Sequence, residues 1–123
     1  VFNKDKITSN KQTLLSSQTN SEGETTVVVT PKDLSLTAST WDFEVTLDTH
    51  SGNLDQDLAK ISTLTDDKGR EFSPVSWDGD LPQGHHRKGI LKFKPIFPKP
   101  NAIELKINKL QDLSGKSFKW DLK

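Results

Sequence analysis

The chain of 123 residues contains no cysteine, which excludes a disulfide framework, a zinc–thiolate site and a cysteine nucleophile. It also has no excess of charge of one sign, because seventeen basic side chains balance seventeen acidic ones. This neutrality gives no electrostatic reason to expect nucleic acid or an anionic membrane as a partner. No run approaches the roughly 18 apolar residues of a membrane-spanning helix, and no signal peptide is recognisable. We therefore expect no nucleic-acid partner and no membrane span.

The chain has the size of one domain, and it begins at Val1 rather than at methionine. We expect a mature chain from which a targeting segment has been removed, with an arbitrary boundary as the alternative. Residues 1–24 are rich in Ser, Thr, Asn, Gln and Lys. Such a stretch cannot bury enough apolar surface to offset the entropy of its own ordering. We predict a polar N-terminal arm or linker over residues 1–24 and one folded domain over residues 25–123.

From residue 25 onward, short β-rich runs are separated by turn signals. The run 25–30 is β-branched throughout, and Pro31 follows it. Apolar and polar residues alternate in the runs 41–47, 91–94, 103–107 and 118–122. The best helix candidate, 54–61, is short, and no segment carries a sustained helical stripe. The pattern predicts an all-β, antiparallel, immunoglobulin-like sandwich of seven or eight strands with an extended N-terminal arm.

A hairpin is predicted in the middle of the chain. The runs 58–65 and 70–77 flank a turn over residues 66–69, in which Gly69 can adopt a positive φ. We expect the two runs to pair as antiparallel strands. Trp41, Trp77 and Trp120 are predicted to fill the space between the two sheets rather than to form a platform for a ligand.

The three histidines lie in two loop-like segments, one after the strand 41–47 and one before the strand near residue 91. If antiparallel pairing brings these segments together, His50, His85, His86 and Asp48 would offer ligands suited to Cu(II), Zn(II) or Ni(II). Adjacent strand residues point to opposite faces, so His85 and His86 are not expected to chelate one ion together. The alternative is that one histidine bonds the loop backbone and another is solvated. We expect no cofactor, with Cu or Zn as the alternative.

A calcium loop is a further hypothesis. Asn53, Asp55 and Asp57 alternate as oxygen ligands would, but Leu58 stands where such a loop needs glycine, and the bidentate glutamate is missing. Turn and capping chemistry explains these residues more simply.

Catalysis has little support in the sequence. Ser51, His50 and Asp48 include the residue types of a catalytic triad, but no nucleophile elbow and no glycine motif of an oxyanion hole surround them. No glycine-rich phosphate loop is present. We predict that the protein is not an enzyme.

Several stretches are distinctive, namely WDFEVTLDTHSGNLDQDL, TLTDDKGREFSPVSWDG, GHHRKGILKF, AIELKI and SFKWDL. Through them, residues 27–122 resemble a widespread, poorly characterised family of exported bacterial and archaeal immunoglobulin-like β-sandwich domains. In that family, a hydrophobic N-terminal signal or anchor precedes a polar linker and then this domain. The resemblance implies a β-sandwich located outside the cytoplasm, and it implies no particular activity.

Our first functional hypothesis is a structural subunit of an extracellular filament or surface assembly, and hence a homo-oligomer. An extended arm can add as a strand to the edge of a neighbouring sandwich. Packing of the arm on its own domain is the alternative. The candidate interface residues are Lys11, Thr13, Leu14, Leu15, Val27 and Val29.

The second hypothesis is an extracytoplasmic metal-binding or ligand-binding domain tethered to the cell envelope, in which the histidines hold Cu or Zn. A third is an adhesin-like binding module that the linker spaces from its anchor. All of them imply an extracellular or cell-surface location.

Overall fold

The computed structural model describes residues 15–82, 84–108 and 115–122. Within them the chain forms nine strands and one short helix. In chain order they are β1 (Gln18–Asn20), β2 (Thr25–Pro31), β3 (Trp41–Thr49), α1 (Leu58–Ile61), β4 (Ser62–Asp66), β5 (Glu71–Phe72), β6 (Ser76–Gly79), β7 (His86–Phe93), β8 (Ala102–Ile107) and β9 (Lys116–Asp121). Among these residues, no helix is long and apolar enough to cross a bilayer.

The strands form two antiparallel sheets. One has the order β1-β2-β3-β7-β6 and the other the order β5-β4-β8-β9. Strands β2, β3, β7 and β6 take the places of immunoglobulin strands A, B, E and D, and β4, β8 and β9 take those of C, F and G. The prediction of an all-β, immunoglobulin-like sandwich is therefore confirmed, with β1 and the two-residue β5 as additional edge strands.

The core lies between the sheets and is built from the inward half of each alternating strand. Along β3, every second residue from Trp41 to Thr49 is buried, and β8 and β9 alternate in the same way. Phe43 packs edge-to-face on Phe93 with 5.6 Å between ring centroids, and it also contacts Trp120. Trp41 and Trp120 thus fill the core as predicted, whereas Trp77 is half-buried at its margin.

The predicted central hairpin is only partly correct. Residues 58–61 form α1, for which Asp57 provides the N-cap, and only residues 62–66 form a strand. The return strand β5 is two residues long, and the chain then crosses to the other sheet and continues as β6. The turn itself follows the prediction, because Gly69 has a φ of 84° and the Asp66 carboxylate accepts from the backbone N–H groups of Lys68 and Arg70.

Part of the predicted arm belongs to the sandwich. Residues 18–20 pair with β2, and the side chain of Leu15 packs against the core. Residues 16–22 also contact β9 of the other sheet through the side chains of Gln18, Lys116 and Trp120. Polar side chains supply these contacts, so the apolar periodicity of the sequence did not reveal them. The predicted domain boundary at residue 25 is therefore too late by at least ten residues.

The interface role predicted for Val27 and Val29 is also corrected. Strand β2 lies between β1 and β3, and both valine side chains are fully buried in the core of their own chain. Burial in the free subunit leaves them no surface to offer a neighbour. Of the other predicted interface residues, Lys11, Thr13 and Leu14 lie outside the described residues.

Candidate functional site

The two histidine-bearing segments meet at one end of the sandwich, because β3 and β7 are antiparallel neighbours. Asp48 lies opposite His86 in their register, and the His86 Nδ1 atom contacts the Asp48 carboxylate. The N–H of Thr49 donates to the carbonyl of His85 at 2.9 Å, and the N–H of His50 donates to the carbonyl of Glu24 at 3.2 Å. His50 and His85 thus make backbone hydrogen bonds at this end of the sandwich.

At this end of the sandwich, the described residues do not bring the four predicted metal ligands together. Among the described residues, no three His, Asp or Glu side chains come together as metal ligands. His86 and Asp48 supply only two, and the side chain of His86 is 83% exposed. The set of His50, His85, His86 and Asp48 is therefore not assembled, because the antiparallel register joins one pair and not the remaining imidazoles.

Residues of the two weaker sequence hypotheses make other contacts in the structure. For calcium, Asp57 uses its carboxylate to accept from the N–H of Ala59 as a helix cap. For a triad, the Ser51 hydroxyl donates to Glu24 at 3.2 Å, while Asp48 contacts His86. These residues serve turns, caps and loop contacts at this end.

A buried arginine connects two loops at the same end, and it was not predicted from the sequence. Arg87 is 1% exposed, and its guanidinium donates to the carbonyls of Leu54 at 3.2 Å, Gln56 at 2.7 Å and Asp80 at 3.2 Å. It also lies 5.4 Å from the centroid of the Trp77 ring. The arginine therefore joins the loop after β3 to the loop after β6.

Burial lowers the pKa of Arg87, and the negative charges of Asp57, Asp80 and Asp55 oppose that shift. Asp55 and Asp57, which suggested calcium ligands in the sequence, and Asp80 thus compensate a buried cation. The signal for it was the alternation of β7, in which Arg87 falls on the inward face together with Leu91 and Phe93.

The loop between β6 and β7 presents an exposed apolar side chain. Leu81 is 72% exposed and lines a shallow cavity of about 490 Å³ together with Gly79, Asp80 and His86. Asp78 lies close by at the end of β6 and is exposed. We call Asp78, Asp80 and Leu81 the Leu81 loop.

The opposite end of the β6–β7 hairpin borders a larger apolar groove. This groove measures about 640 Å³, and it lies where the chain crosses from β5 to β6 and where it leaves β7. Phe97 is 78% exposed and Val75 is 56% exposed, whereas Ile96 beneath them is buried. We call it the Phe97 groove, and its apolar lining consists of Phe72, Pro74, Val75, Pro95, Ile96 and Phe97.

Two cations and one carboxylate also line the groove, namely Arg70, Lys94 and Glu71. The guanidinium of Arg70 lies 5.8 Å from the centroid of the Phe72 ring, and its Nε donates to Asp66 at 2.7 Å. Burial alone would raise the pKa of Asp66, but hydrogen bonds from Arg70 and the backbone of Lys68 hold it below its ordinary value. Arg70 is thereby fixed at the rim of the groove.

The sequence analysis did not identify this groove. Its walls come from residues 70–75 around β5 and from residues 94–97 after β7, which are distant in sequence. The available signal was Phe97, a large apolar residue in a proline-punctuated connection where no strand can bury it.

The two lateral sides of the sandwich differ. On one side, β1 lies beside β9 and side-chain contacts join them. On the other side, residues 73–75 connect β5 to β6, and the Phe97 groove opens there.

Comparisons with protein-family models, with curated proteins and with solved structures find no match to this chain. The family resemblance noted from the sequence therefore stays a prediction.

Proposed function

We propose that this protein is a non-catalytic structural subunit of an extracellular filament or surface assembly, and that it self-associates through the Phe97 groove. The observation that carries the proposal is the exposure of Phe97 and Val75 in the lining of one concave surface. Adjacent exposed apolar side chains with a polar rim are typical of protein interaction sites. The extracellular location rests on the family resemblance of residues 27–122.

The proposal differs from the sequence hypothesis in the surface that it uses. The described part of the N-terminal segment is held by its own chain, through β2 and through contacts with β9. Strand donation by residues 15–24 would require these bonds to break. The Phe97 groove requires no such rearrangement, since it is already open in the single chain.

The groove is also a better candidate than the histidine end. Its lining is mainly apolar, and an aromatic side chain that loses most of its exposure on association contributes about 1.5–3 kcal/mol. Two ligands, by contrast, fall short of the four that a structural zinc site needs and of the three that a catalytic one needs. Association through the groove therefore has the stronger physical basis.

The test is the concentration dependence of particle mass, measured by sedimentation velocity and by negative-stain microscopy. We expect the wild-type chain to form ordered oligomers, and we expect Phe97→Asp to stay monomeric. The matched control is Leu36→Asp, which changes another exposed apolar residue, 43% exposed, outside the residues that line the groove. It should associate as the wild type does.

A wild-type chain that stays monomeric at high concentration would contradict the proposal. The alternative function, a ligand-binding domain of the cell envelope, would then be the better account of the same groove. Circular dichroism of each variant checks the fold, and we expect no change because Phe97 and Leu36 are both exposed.

A further inference from the structure

The Leu81 loop and the Phe97 groove lie at opposite ends of the same β-hairpin. Strand β7 runs from the end that carries the Leu81 loop to the end that carries the groove. Its eight residues span about 23 Å at the usual rise of 3.3 Å per residue. One chain therefore presents an exposed apolar projection at one end and an apolar concavity at the other.

The charges at the two ends are opposite in sign. Asp78 and Asp80 both precede Leu81 in the chain, and both are exposed. The groove lining carries Arg70 and Lys94 against the carboxylate of Glu71, and Arg70 is also paired with Asp66 at 2.7 Å. An apolar residue that follows two acids thus matches an apolar groove whose lining carries two cations.

We propose that Leu81 of one copy inserts into the Phe97 groove of the next copy, so that the chains associate head to tail. This inference rests on the proposed function and names the partner of the groove. The exposed Leu81 side chain would lie against Phe97 and Val75, and its acidic neighbours would face Arg70 and Lys94. Association would remove from water three of the four large apolar side chains that are exposed among the described residues.

The symmetry of such a contact favours the growth of a filament. The two contact surfaces are different and lie at opposite ends of one hairpin, so the contact is heterologous. A heterologous contact continues from copy to copy, and it yields an open filament unless the rotation between copies closes a ring. The filament axis would then run roughly along β6 and β7.

Complementation between two variants tests the pairing. Leu81→Asp keeps the groove and loses the projection, whereas Phe97→Asp keeps the projection and loses the groove. Each variant alone should be monomeric, with its dissociation constant raised at least about tenfold by the loss of one buried apolar side chain. An equimolar mixture should form a dimer and stop there, because only one intact contact remains.

Two other results overturn the inference without touching the proposed function. If Leu81→Asp assembles like the wild type while Phe97→Asp does not, the groove binds a different surface of the neighbouring copy. If the mixture stays monomeric, the two surfaces do not pair. A monomeric wild type would instead overturn the proposed function, so the two failures are distinguishable.

Charge reversal tests the electrostatic part. Lys94→Glu at the groove should weaken wild-type association at least about fivefold, since like charges would then face each other. Lys119→Glu, a charge reversal of an exposed lysine on β9 far from the groove, should leave it unchanged. Equal effects of the two variants would show that Lys94 makes no specific contact with the acids.

Discussion

Replacement of Arg87 by methionine is expected to lower the free energy of unfolding by about 2–3 kcal/mol. The guanidinium is almost completely buried and donates to the carbonyls of Leu54, Gln56 and Asp80. Each buried acceptor that loses its partner costs about 1–3 kcal/mol, and we take the lower end because these loop carbonyls can rehydrate. Relief of the desolvation of the charge offsets part of the total.

Thermal and urea unfolding of the full chain measure this loss. For a domain of this size, 1 kcal/mol corresponds to a shift of about 4 °C in Tm, so the expected decrease is about 8–12 °C. Methionine preserves much of the side-chain volume, so the decrease reports lost polar contacts rather than a large cavity.

Lys88→Met is the matched control for Arg87→Met. Lys88 is the next residue of β7 and lies on the outer face, with a side chain that is 66% exposed and 3.5 Å from the Glu44 carboxylate. Its loss should cost less than about 0.5 kcal/mol, as for other exposed ion pairs. If the two variants are equally stable, Arg87 does not hold the two loops together, and our account of this end of the sandwich is wrong.

Three further predictions follow from close contacts and from one pKa. Gly89→Ala should destabilise the fold by about 1–3 kcal/mol in urea unfolding, because the new Cβ would lie 2.7 Å from the Gly79 Cα across the β6–β7 pair. Lys116→Met should cost about 1–2 kcal/mol and should speed amide hydrogen exchange in residues 18–22, because its buried ammonium donates to that segment. Arg70 holds the pKa of Asp66 below its ordinary value of 3.8, so Asp66 stabilises the fold above about pH 4, and this contribution is lost as the pH falls further. Asp66→Asn should therefore reduce the pH dependence of urea unfolding below pH 4, and an unchanged pH profile would contradict the assignment.

The fold was predictable because it depends on local alternation. The β-branched run 25–30 and the alternating runs 41–47, 103–107 and 118–122 each occur as a strand with the expected inward face. Such periodicity records which face is buried, whatever the partner strand is. It does not indicate which strand pairs with which. For that reason the run 70–77 was expected to stay in one sheet, although it divides between two.

The features that form the candidate surface depend on contacts between residues that are distant in sequence, and local sequence patterns did not predict them. Strand β1 is polar, and its bonds go to β2 and to side chains about a hundred positions away in β9. Arg87 donates to two carbonyls more than thirty positions away and to a third that is seven positions away. Its burial departs from the usual expectation that a charged residue is exposed. The Phe97 groove exists only because two connections meet at one end of the sandwich.

The side of the sandwich on which β1 lies beside β9 limits how subunits can associate. The side-chain amide of Gln18 donates to the carbonyl of Lys119 and accepts from its N–H at 3.2 Å, as the peptide group of an added strand would do. Trp120 and Lys116, on either side of Lys119, donate to residues 16–22 of the same segment. This outer edge of β9 is therefore already paired within the chain, and edge-to-edge addition of a neighbouring strand would have to displace it. Growth through the two ends of the β6–β7 hairpin needs no such displacement, which favours a head-to-tail contact over the strand donation that the sequence first suggested.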